Sequence, residues 1–220
     1  MTIRPVLVAA AALIVAAGCG RRSLVIPPYA DPLAAEFGER GPDHWVAVFA
    51  TTKGDVTLEV TRELAPLGAD RFYHLVKSGF YDGQRISRVR PKTFAQWGLH
   101  WDTGVIAAWK NSYIQDDPPR TKNSRGTIAF AFKDPNTRAT QVYINLVDNA
   151  LQDTQGFAPF GKVTRGMDVV DNWYDGYGEN AGGGLRAGTQ GPIEREGAAW
   201  LDKNFPLLDR IVRARITSIR

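Results

Sequence analysis

Across the middle of the chain, apolar and polar positions alternate in short runs, the period of half-buried β-strands. The clearest run is 55–60, where Val56, Leu58 and Val60 alternate with Thr57 and Glu59. Residues 45–51 form a matching run, and Thr52-Lys53-Gly54 between the two supplies a tight turn, which predicts a β-hairpin. The period then changes. Pro66 opens a stretch in which Ala69, Phe72, Tyr73 and Val76 share one helical face, and Gly79 ends it. Further short strands are predicted near 85–89, 94–98, 127–132, 142–146 and 159–163. A second short helix starts near Gly166, with Met167, Val170 and Tyr174 on one side. Residues 175–191 are glycine-rich and read as a surface loop; 194–204 suggest another helix. Residues 208–219 read as a closing strand with Val212, Ala214 and Ile216 facing inward. Many short strands with two helices between them predict a mainly β fold, a closed barrel with helical lids, because closure removes exposed edges.

The first residues follow a different pattern. Arg4 precedes a continuous apolar run over 6–17, which is too short to span a bilayer comfortably and fits a cleaved signal. Ala16-Ala17-Gly18-Cys19 closes it and resembles a bacterial lipobox, with Ala16 where that pattern usually has Leu, Val or Ile. The resemblance implies removal of residues 1–18, a lipid on Cys19, and a lipoprotein facing the periplasm or exterior from a membrane of the cell envelope. Ordinary cleavage near Ala17, releasing a soluble secreted protein, is the alternative. Residues 19–43 then read as a flexible tether, since Pro27-Pro28, Pro32 and Gly41-Pro42 interrupt any helical period, with a partly helical piece at 32–37. Fully extended, residues 20–43 would reach about 80 Å. The domain proper is expected over 44–220.

Composition narrows the chemistry. A chain of 220 residues, 44% hydrophobic, suits one domain with a substantial core plus extra segments. Its net charge of +4 is scattered with no basic run, which sets nucleic acid aside as a partner. The mean hydropathy of -0.25 argues against a polytopic membrane protein. A single cysteine excludes an intrachain disulfide, and His44, His74 and His100 are isolated from one another, so no metal site is expected. Nucleophile-elbow, P-loop and dinucleotide-binding motifs are absent, and no cofactor is expected.

Three segments, in order, carry a family resemblance. The first is Phe80-Tyr81-Asp82-Gly83 followed by Arg88-Val89-Arg90-Pro91-Lys92-Thr93-Phe94-Ala95-Gln96-Trp97-Gly98. The second is Gly126-Thr127-Ile128-Ala129-Phe130-Ala131, then Asp134-Pro135-Asn136-Thr137 and Gln141-Val142-Tyr143-Ile144-Asn145. The third is Gly156-Phe157-Ala158-Pro159-Phe160-Gly161-Lys162-Val163 with Gly166-Met167-Asp168-Val169-Val170. Together they resemble the cyclophilin-type peptidyl-prolyl cis/trans isomerases. The resemblance implies an eight-stranded antiparallel barrel capped by two helices, here with a C-terminal extension. It also implies proline-containing polypeptides as substrates, with exported chains as clients; a monomer is expected.

By position, Arg88 matches the family's catalytic arginine and Gln96 the glutamine that orients it. Gln141 matches a glutamine that contacts the substrate backbone. Phe94, Tyr143, Ala131, Leu151, Phe157 and Thr93 fall at substrate-binding positions. Taken residue by residue, the alternatives are that Arg88 is an ordinary surface charge and Phe94 and Tyr143 ordinary core; their joint spacing favours function. Several positions depart from the family pattern: Thr93 stands for a pocket phenylalanine, Phe132 for an asparagine, Ser87 for a histidine, Phe157 for another histidine and Leu151 for an aromatic. Thr93 would leave one wall of a proline slot short, which keeps open a module that binds Pro-containing segments without turning them. Trp101 and Trp109, in the long 97–125 loop, either line an enlarged groove or pack onto the barrel.

Overall fold

A computed structural model describes residues 27–182 and 190–220. Cys19 and the apolar leader therefore lie outside the described residues. The predicted hairpin forms β1 (His44–Thr51) and β2 (Gly54–Thr61), paired antiparallel in continuous register from His44↔Thr61 to Thr51↔Gly54. The helical stretch is α1 (Pro66–Lys77). Then come β3 (Arg88–Arg90), β4 (Phe94–Trp97), α2 (Thr103–Trp109), β5 (Thr127–Phe130), β6 (Val142–Asn145) and α3 (Ala150–Thr154). The remainder is β7 (Pro159–Arg165), α4 (Met167–Asp171), α5 (Gly191–Glu196), α6 (Ala198–Asn204) and β8 (Ile211–Ile219).

Eight strands form one curled antiparallel sheet in the order β3-β4-β6-β5-β7-β2-β1-β8. The expected closed barrel is not reached: the ladder stops at β3 and β8. At that seam the chain before β3 is irregular, and it meets the start of β8 through the single bridge Arg85↔Arg210. Gly83 and Ile86 donate to the carbonyls of Ile211 and Asp209 there. The concave face holds an aromatic core under α1, where Phe72 stacks on Phe49 at 6.0 Å and meets Phe160 at 4.9 Å. The free N–H groups at the start of α1 are taken by the Asp117 carboxylate, from Leu67 at 3.0 Å and Gly68 at 2.8 Å.

Several expectations are corrected. Residues 27–43 do not hang free as a tether: Phe37 is buried edge-on against Trp109 at 4.8 Å, and the Trp109 indole donates to the Tyr29 carbonyl. The 97–125 segment is not all loop, because Asp102 accepts from the N–H groups of Gly104 and Val105 and so caps α2. The single helix expected over 194–204 is two, broken at Gly197, whose φ of +60° reverses the chain. Val212 faces outward at 61% exposure. The register passes from Ala50↔Arg213 to Thr51↔Ile211, so a bulge takes Val212 out of the alternation.

Candidate functional site

Strand parity separates two faces. Val89, Ala95, Trp97, Ile128, Phe130, Val142 and Ile144 point into the main core. Their neighbours therefore project from the opposite face. That second face gathers Arg88, Phe94, Gln96, Ala129 and Tyr143. The ladder sets them side by side through Arg88↔Gln96, Gln96↔Tyr143 and Ala129↔Tyr143.

A polar chain runs across it. Arg88 Nη1 donates to Gln96 Oε1 at 2.9 Å, and Gln96 Nε2 donates to Gln141 Oε1 at 2.8 Å. Gln141 and Gln190 exchange amide hydrogen bonds at 3.1 and 3.2 Å. The Arg88 guanidinium lies 4.7 Å from the Phe94 ring centroid, stacked on its face. Its outer edge, Nε and Nη2, donates to Glu179 Oε1, with Nε at 3.0 Å. That guanidinium holds the Glu179 carboxyl below its ordinary pKa, against a smaller opposing effect of burial.

Beside this chain is an apolar wall, a small cluster of Phe94, Ala129, Ala131 and Tyr143 with Phe157 packed against it. Tyr143 bridges Phe94 and Phe157, each at 5.6 Å, and Phe132 lies 4.4 Å from Phe157. The Tyr143 hydroxyl donates to Asn123 at 3.0 Å, and burial raises its pKa well above the usual phenol value. Past Gln141 the face continues into a cavity of about 400 Å³, lined by Ala131, Gln141, Leu99, Trp109 and Gln190 among others. Trp109 is buried as well as lining this cavity, whereas Trp101 is tucked over His100 at 4.9 Å.

The structure thus brings together Arg88, Gln96, Gln141, Phe94, Tyr143, Ala131 and Phe157. It does not bring in Leu151, which is 70% exposed on α3, nor the Thr93 side chain, which turns back on the Pro91 carbonyl. Thr93 acts through its main chain: its carbonyl accepts from Leu146 N–H and from the Asn149 amide. Sequence reasoning missed Glu179 and Gln190, which come from the glycine-rich stretch read as a plain surface loop. It also missed that Phe132 and Phe157, noted separately as departures, pack against each other with their rings tilted. One signal was present in Ser87. A Cβ at Gly182 would lie 2.9 Å from its side chain, so a small residue at 87 lets the Glu179 turn pack down.

Comparison with known proteins identifies relatives of this chain. A family model for cyclophilin type peptidyl-prolyl cis-trans isomerases (CLD) matches residues 46–187. A peptidyl-prolyl cis-trans isomerase of Acinetobacter baylyi is 35% identical over 127 residues, covering 55% of this chain and 67% of that protein. Peptidyl-prolyl cis-trans isomerase A of Dickeya dadantii is 33% identical over 141 residues, covering 61% of this chain and 74% of that one. Among solved structures, a cyclophilin type isomerase of Cryptosporidium parvum superposes with a TM-score of 0.57 at 20% identity. It covers 80% of this chain and 99% of its own, a likeness of fold.

Proposed function

This chain belongs to the cyclophilin-type peptidyl-prolyl cis-trans isomerases, and from that premise we propose that it turns X-Pro bonds of exported polypeptides at Arg88, as a lipoprotein held to the cell envelope through Cys19. Rotation about an X-Pro bond breaks no covalent bond; its barrier, about 18–20 kcal/mol for a peptide bond, is lost amide resonance. As the amide twists, its nitrogen gains lone-pair character and its carbonyl ceases to conjugate. A fixed cation with spare N–H donors beside a dry slot stabilises that state more than the planar one. Lowering the barrier by about 7 kcal/mol is worth roughly 10⁵-fold.

In this reading Phe94, Tyr143 and Phe157 hold the proline ring, and Arg88 donates to the twisted amide. Gln96 keeps the guanidinium aimed, and Gln141 has a second amide N–H to offer the substrate backbone. The observation that carries the site is the Arg88–Gln96 hydrogen bond formed over the Phe94 ring. A protease-coupled assay on a short X-Pro peptide tests it. Arg88→Ala is expected to lose at least about a hundredfold in kcat/KM, the worth of one donor used mainly in the transition state. Wild-type turnover by a folded Arg88→Ala protein would remove Arg88 from the mechanism.

The envelope assignment is supported by the apolar run ending in Ala-Gly-Cys. Mass spectrometry of the native protein is expected to find a diacylated Cys19 at the N-terminus. A native protein that starts elsewhere and carries no lipid rules the anchor out.

A further inference from the structure

The Arg88 guanidinium has five N–H donors. Gln96 takes one through Nη1, and Glu179 takes two, through Nε and Nη2. Only two remain for a substrate. The guanidinium is already oriented without the acid, since Gln96 bonds it and Phe94 stacks beneath it. Arg90 Nε lies a further 3.8 Å from the same Glu179 oxygen. The carboxylate also places a full negative charge against the cation that must stabilise a developing lone pair.

The turn that delivers it is built rather than loose. Tyr174 N–H donates to Asp209, Gly178 N–H to the Asp175 carbonyl and Asn180 N–H to the Tyr177 carbonyl. Tyr177 packs between Tyr174 and Phe205, and Ala181 is buried in the small cluster with Ile193, Leu201 and Leu208. Gly182 closes against Ser87, the residue just before Arg88. The backbone is thus pinned on both sides of position 179, while the Glu179 side chain itself is 47% exposed. A half-exposed side chain on a fixed backbone can swing off by rotamer change alone.

We propose that Glu179 is a further residue of the isomerase site, a built-in competitor that occupies the outer donor edge of Arg88 until substrate displaces it. This rests on Arg88 being the catalytic group. The competitor acts on the free enzyme, so it raises KM and leaves the saturated complex alone. It selects for substrates able to bind elsewhere first. The cavity beyond Gln141 offers longer chains such a hold, which a short peptide cannot use.

The experiment compares wild type, Glu179→Gln, Glu179→Asp, Arg88→Ala and the Arg88→Ala/Glu179→Gln double variant on one short Ala-Pro peptide. Steady-state kinetics separate kcat from KM, and thermal melts verify folding. Glu179→Gln is expected to lower KM by about fivefold, the scale of a half-exposed ion pair, with kcat within about twofold of wild type. Glu179→Asp, whose shorter arm keeps the charge and loses the contact, falls between. The gain must vanish in the double variant. A fall in kcat for Glu179→Gln would make the acid a positioning residue and overturn the proposal, as would an unchanged KM while Arg88→Ala is inactive. Full activity in Arg88→Ala overturns the site itself and the proposal with it.

Discussion

At the scale of single residues, the apolar wall proposed to hold the proline ring does without the Thr93 side chain. Thr93 offers a methyl and a hydroxyl at a position the family fills with phenylalanine, and its hydroxyl faces the Pro91 carbonyl. The apolar surface comes instead from a run of rings, Phe94 to Tyr143 to Phe157 to Phe132, each within 5.6 Å of the next. Phe157 is the link in that run: it holds Tyr143 edge-on and carries Phe132 on its other side. Phe157→Ala is therefore expected to reduce kcat/KM by roughly five- to thirtyfold, the effect of losing about 40–80 Å² of apolar contact around a proline ring. Thermal melts should show the domain still folded, because Phe157 belongs to the small outer cluster and not to the main core. Equal kcat/KM in both proteins would mean that the proline ring docks elsewhere.

At the scale of elements, what could be read from the chain was whatever local periodicity controls. The hairpin of β1 and β2 and helix α1 were legible because each buries one face, so its spacing shows in the residues themselves. Arg88, Gln96, Gln141, Phe94 and Tyr143 were legible as a group only through the family resemblance; the ladder that sets strand residues among them side by side shows in the structure. Features set by a partner element were not. The bulge that turns Val212 outward depends on how β8 registers with β1, and nothing within 208–219 encodes it. Gly197 breaks the last helix in two where a Cβ would come within 2.4 Å of the Trp101 carbonyl, a contact with a segment far away in the chain. The segment at 27–43 has the prolines of a linker, yet Tyr29 and Phe37 find cover only because α2 presents Trp109. Helix α2 could have been found: Asp102 stands just before Val105, Ile106 and Trp109, a cap followed by apolar residues at helical spacing. Glu179 could not, since it reaches Arg88 across 91 positions.

At the scale of the whole molecule, the N-terminal segment, the turn after α1 and the residues leading into α2 meet at His100, and that junction is expected to make stability depend on pH. The ring is buried among Tyr29 at 5.1 Å, Phe80 at 5.2 Å and Trp101 at 4.9 Å. Its Nδ1 accepts from the Asp102 N–H at 3.0 Å, so the neutral ring carries its proton on Nε2, which has no hydrogen-bond partner among the described residues. Burial pushes the pKa down to about 4, with the nearby Asp102 pulling weakly the other way. In the unfolded chain the same ring titrates near the ordinary value of about 6.5. Between these values the unfolded state binds a proton and the native state does not, so stability falls as the pH drops from about 7 toward 4. Below about 4 both states are protonated and this contribution changes no further. The full effect is on the order of 3 kcal/mol, taking about 1.4 kcal/mol per pKa unit. Acidic groups elsewhere also titrate in part of this range, so the comparison must be with a variant that lacks the imidazole. Asn at position 100 keeps an acceptor for the Asp102 N–H and cannot be protonated. Urea unfolding at several pH values from 7 to 4.5 is expected to show wild type losing stability more steeply than His100→Asn, even though the variant starts lower. Parallel curves for the two proteins would show that His100 is not the group through which acid loosens the junction.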